Sequence, residues 1–167
     1  MKKTLKEFLE KNHACKDGFD FAKDLTLEEF LNTCERGDWI LWLFAKTNAD
    51  SLREFTLAKG HCANTVRELM KDKRSTRAVD VAIAFGEGKA TREELDDAAA
   101  AAYAADAYAA DAYAADAYAA DAYAADAAYF AADAAAKKQH QKQTADICRK
   151  YLPLEIWNQN LIKKRKL

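Results

Sequence analysis

Residues 98 to 136 constrain this chain more than any other stretch. Of those 39 residues 26 are Ala, six Tyr, six Asp and one Phe, and Tyr103, Tyr108, Tyr113, Tyr118 and Tyr123 recur every five positions. The repeating unit is Tyr-Ala-Ala-Asp-Ala, and a fixed internal period has to be explained before any other pattern in the chain is read.

Ala is the strongest helix former and is depleted from strands, and no Gly or Pro interrupts residues 89 to 152. The tract is therefore expected to form one uninterrupted α-helix. A pentapeptide-repeat β-helix is the rival reading. Ala115-Asp116-Ala117-Tyr118-Ala119 follows its frame, but Ala117 stands where a large core residue belongs. A coil filled with methyl groups buries too little apolar surface to offset the cost of ordering the chain.

On a helix, five residues advance a side chain by about 500°, so each Tyr is rotated about 140° from the last. The Tyr rings, and the Asp set at 106, 111, 116, 121 and 126, therefore visit every side and leave no single apolar stripe. Such a helix either threads a bundle, where Ala lets neighbours approach, or projects into solvent. A helix from Arg92 to Ala136 is about 67 Å long, against a radius of gyration near ~15 Å for a compact chain of this size. The tract must bend, protrude or pair with another. Tyr108, Tyr113, Tyr118 and Tyr123, with Asp111, Asp116 and Asp121, are the candidate partner-binding residues. The same ladder also reads as a solvated structural helix.

The remaining pattern is helical throughout, and the expected fold class is all-α: a bundle of about six helices around the alanine-rich one. Residues 1–153 are expected to form one helical domain, with N-terminal helices over 4–88, the alanine helix over 91–136 and a closing helix over 137–152. Residues 154–167 read as a basic tail. Leu5, Phe8 and Leu9 give a short first helix, and residues 13–18 read as a turn. Phe19, Phe21 and Leu25 are expected to pack inward. Thr26 and Glu29, Ser51 and Glu54, and Thr91 and Glu94 are spaced as capping boxes, in which hydroxyl and carboxylate satisfy the orphan amides of a helix start. The first of these helices is expected to run to about Arg36, where Gly37 ends it and Asp38 caps the next. The segment from Trp39 to Phe44 is apolar on all sides and has to be surrounded by protein, with Trp39 and Trp42 stacked one turn apart. Gly60 inside a helical pattern marks close packing against a neighbour. Gly88 ends the helix before the alanine tract, and Pro153 ends the last one.

Charge divides the chain although its net value is −1. Residues 96 to 133 carry eight Asp and no base, whereas residues 137 to 167 carry nine Lys or Arg against Asp146 and Glu155. Cations near a helix C-terminus complement its dipole, and the basic ending reads as a solvated end with at most weak affinity for nucleic acid. No secretory leader and no transmembrane span is read: the apolar run at 39–45 falls far short of the ~20 residues a bilayer requires. A cytoplasmic location is the expectation. Cys15, Cys34, Cys62 and Cys148 stand singly and read as reduced, mostly buried small residues.

Chemistry-bearing motifs are sparse. His13 beside Cys15 and His61 beside Cys62 lack the repeated short spacing of a structural zinc motif. The Gly86-Glu87-Gly88-Lys89 stretch is too short for a phosphate loop and follows a helix. Carboxylates spaced five apart on a helix point away from one another and cannot pair for acid-base work. No catalytic residue, cofactor or metal is expected.

One order of features resembles a known family. Asp38-Trp39-Ile40-Leu41-Trp42-Leu43 is followed by Cys62, then by Arg77-Ala78-Val79-Asp80-Val81-Ala82, Gly88 and Thr91-Arg92-Glu93-Glu94-Leu95. The alanine tract and a segment from Ala145 to Pro153 that contains Asp146-Ile147-Cys148-Arg149 complete the order. Together, over residues 26 to 153, these resemble the alanine-rich immunity proteins of bacterial toxin systems. The resemblance implies an all-helical, non-enzymatic protein that binds and neutralises a toxin in the cytoplasm. The regularity of the repeat and the basic ending depart from that family's pattern. A self-associating protein whose alanine helices pair across a homodimer is the second reading. Ice or surface binding is a third, which the 140° rotation per repeat disfavours, since it denies a regular face.

Overall fold

The computed structural model describes residues 4–48, 50–70, 72–106 and 134–157. All regular structure among the described residues is helical, without a strand. The elements are α1 (Lys6–Lys11), α2 (Lys16–Ala22), α3 (Leu27–Thr33), α4 (Gly37–Thr47), α5 (Leu52–Asn64), a 3₁₀ turn (Arg67–Leu69), α6 (Lys73–Gly86), α7 (Arg92–Asp106) and α8 (Ala134–Tyr151).

Local chemistry sets several of these ends. Thr26 and Glu29 form the full capping box: Glu29 N–H donates to Thr26 Oγ1 at 3.2 Å, and Thr26 N–H donates to Glu29 Oε2 at 2.9 Å. Thr91 and Glu94 repeat it at the start of α7, at 3.1 and 2.7 Å. Ser51 occupies the N-cap position of α5, but the side-chain cap bond is not made, because its φ of −96° and ψ of 51° depart from the extended geometry a cap needs. Gly88, at φ +78°, follows α6 in a Schellman motif: its N–H donates to the Phe85 carbonyl and the Lys89 N–H to the Ala84 carbonyl.

The N-terminal elements depart from the sequence reading. Within residues 13–18 the left-handed conformation is confined to His13, with φ +54°. Helix α2 starts three residues later and carries Gly18, expected in the turn, inside its first turn, where an added Cβ would lie 3.2 Å from Cys15 Sγ. Phe21 remains 41 % exposed and lies along Trp39, centroids 5.7 Å apart. The Trp39 ring thus meets Phe21, tilted by 48°, where the expectation was a stack on Trp42. Helix α3 stops at Thr33, and Gly37 opens α4 instead of closing α3. Asp38 is no cap: it accepts a forked pair from Arg36 at 2.8 and 2.5 Å.

Helix α4 is the centre, as its all-apolar sequence requires. Ile40, Leu41, Leu43 and Phe44 are buried with Phe30, Cys34, Ala58, Cys62, Ala145, Cys148 and Leu152. Helix α4 packs on α8 and α5, α5 packs on α6, and α6 on α7, so the alanine-bearing α7 is the outer layer of that succession. Two crossings are close. A Cβ on Gly37 would lie 2.7 Å from Thr144 Cβ on α8, and one on Gly60 would lie 2.9 Å from Ile83 Cγ1 on α6. The packed body continues past Pro153, where the tail was expected to begin. Residues 154–157 form a further helical turn, and Trp157 is fully buried, edge-on to Phe44 at 4.9 Å.

Candidate functional site

The alanine tract enters the structure through α7, where one face can be followed side chain by side chain. Ala98 and Ala102, four residues apart and so on one side of the helix, are buried against Ala78 and Val81 of α6. Leu95, one turn earlier, is buried as well. Methyl side chains at 98 and 102 let the two helices close. Tyr103, the first rung of the ladder, is 64 % exposed. The start of α7 is acidic and ordered by its own charges: Arg92 Nε donates to Asp96 at 2.8 Å, and the Thr91 bonds hold the Glu94 carboxyl below its usual value.

Tyr108, Tyr113, Tyr118, Tyr123, Asp111, Asp116 and Asp121, the residues singled out from the sequence, lie outside the described residues. Tyr103 is the described member of their series, and it presents its ring to solvent from a helix seated on α6.

A second feature escaped the sequence reading. Between α1, α2, α3 and α4 lies a hollow of about 350 Å³, lined by Leu9, Phe30, Trp39, Trp42 and Leu43, with Cys15 beside them. The two tryptophans were assigned to the core, yet both are half-buried and form one wall of this space. The Arg36–Asp38 pair borders it, and the Arg36 guanidinium lies over the Trp39 ring at 4.6 Å. The legible signal was the charge pair immediately before the aromatics: a helix start flanked by Arg and Asp has one wet end.

His61 and His140 serve packing. His61 stacks face to face on Tyr151, centroids 4.3 Å apart, and His140 Nε2 shares a 2.9 Å hydrogen bond with Thr65 Oγ1. Burial lowers the pKa of both, with Lys150 adding to the effect at His61. Among the described residues no three His, Cys, Asp or Glu side chains converge on a metal-sized site, and no helix is long and apolar enough to cross a membrane. Comparison with family models, curated proteins and solved structures finds no match. Any functional reading therefore rests on the residues themselves.

Proposed function

We infer that this chain is a non-enzymatic binding protein of the immunity type, which neutralises a bacterial toxin by direct contact through its Tyr-Ala-Ala-Asp-Ala tract. The observation that carries the reading is Tyr103: the ladder's first ring is exposed while its alanine neighbours are spent on α6. Tyrosine supplies a large, rigid, amphipathic contact area and is enriched among residues that dominate binding. The Asp at each repeat adds negative charge around those rings, suited to a basic partner surface. The order of features from Asp38 to Pro153 supports the same reading by resemblance.

The test is comparative capture from native cells with the wild-type chain and with the Tyr108→Ala, Tyr113→Ala, Tyr118→Ala triple variant. A protein retained by the first and lost by the second, which arrests growth when expressed alone and is silenced by co-expression of this chain, supports the reading. Equal retention by both overturns it. Sedimentation of the purified chain separates the self-associating reading, which needs a dimer that the triple variant dissociates.

A further inference from the structure

Cys62 on α5 and Cys148 on α8 are 86 residues apart in the chain, yet their sulfurs lie 3.8 Å apart in the core. The close α4–α8 crossing at Gly37 places them. Thr144 and Cys148 share one face of α8; Cys62 donates to the Thr144 carbonyl at 3.7 Å and Cys148 to the Gly37 carbonyl at 3.6 Å. All four cysteines are thiols in this structure. A disulfide needs its sulfurs about 2.05 Å apart, so each must travel roughly 0.9 Å, within reach of a side-chain rotation.

The geometry points to Cys62 and Cys148 as an oxidisable pair that a small hydroperoxide converts to a disulfide tying α5 to α8. Cys62 retains 4 % exposure and Cys148 none, so Cys62 meets the oxidant first and a bulky disulfide reagent is excluded. The Cys62 thiolate attacks one peroxide oxygen, the O–O bond breaks, and the departing hydroxide takes up a proton as water. The Cys148 sulfur then attacks the resulting sulfenic acid: the S–S bond forms, the S–O bond breaks, and hydroxide leaves with the Cys148 proton as a second water. Two thiols lose two electrons and one peroxide gains them. The bond closes residues 63–147, including α6, α7 and the alanine tract, into a covalent loop.

The experiment uses the full chain carrying Cys15→Ser, which removes the exposed thiol that would link separate molecules, and hydrogen peroxide as the probe. Remaining thiols are then alkylated and the peptides mapped. The expected result is loss of two of the three remaining thiols, a peptide joining Cys62 to Cys148, and a rise in Tm of about 5–15 °C that a reductant reverses. Cys34 is the internal control: its thiol donates to the Arg36 carbonyl, burial pushes it up to about 11, and it stays reduced. Adding Cys148→Ala abolishes the joined peptide. Three thiols surviving peroxide, or Cys62 oxidised without a link to Cys148, overturns the inference.

Discussion

Arg149 of α8 donates from Nε to the Leu31 carbonyl at 2.6 Å. The same guanidinium reaches the Cys34 carbonyl and bonds Asp146 at 2.8 Å. One side chain near the end of the fold thus satisfies carbonyls at the end of α3, where a helix has no partners of its own. Arg149→Ala should cost about 2 kcal/mol, in the range for hydrogen bonds to a charged group. Arg149→Lys should recover less than half of that, because an ammonium cannot reproduce the fork. Urea denaturation of the three proteins checks both values.

The helix crossings give a graded pair. Gly60→Ala gains helix propensity of about 1 kcal/mol but presses Ile83, and overpacking costs about 1–3 kcal/mol. A net loss near ~1 kcal/mol is expected. Gly86→Ala meets the Leu57 backbone, 2.8 Å from its Cα, which cannot rotate away, so its loss should exceed that of Gly60→Ala. The midpoint should fall in that order with an unchanged denaturant slope.

Thr26→Ala and Thr91→Ala each remove a formed capping box and should cost about 1 kcal/mol. Thermal melts of the two variants provide the measurement.

Acid should loosen the fold through two half-buried histidines, His61 and His140. Burial favours the neutral imidazole at His61 and His140, Lys150 reinforces this at His61, and Glu87 opposes it. With folded values below the unfolded one, the unfolded chain takes up protons first as pH falls through about 6.5. The stability from these two groups is therefore present above that pH and lost below it. Tm should drop between pH 7.5 and 5.5, and His61→Phe, which keeps the stack on Tyr151, should flatten part of that drop.

Helical class, two of the three capping boxes and the buried α4 were legible because each is written in a local run of residues, and the close approach of Gly60 to Ile83 because a glycine inside a helical pattern marks one. What was hidden depends on neighbours in space. Lys59 and Thr56 on α5 are buried although a polar residue inside an apolar period reads as solvent-facing. Trp157 looked like the start of a tail because the bases that follow it dominate the local composition, whereas its ring fills a space made by Phe44 and Leu152. The hollow beside Trp39 arises from four short elements meeting, and Cys62 and Cys148 meet only because Gly37 admits α8.

The most direct test of the proposed function is the dissociation constant of the captured partner for the wild-type chain and for the Tyr108→Ala, Tyr113→Ala, Tyr118→Ala variant, measured at one salt concentration. The account predicts that the variant, with an unchanged Tm, binds at least ~30-fold more weakly, the loss expected when a residue that dominates an interface is truncated. An equal dissociation constant for the two proteins would contradict it.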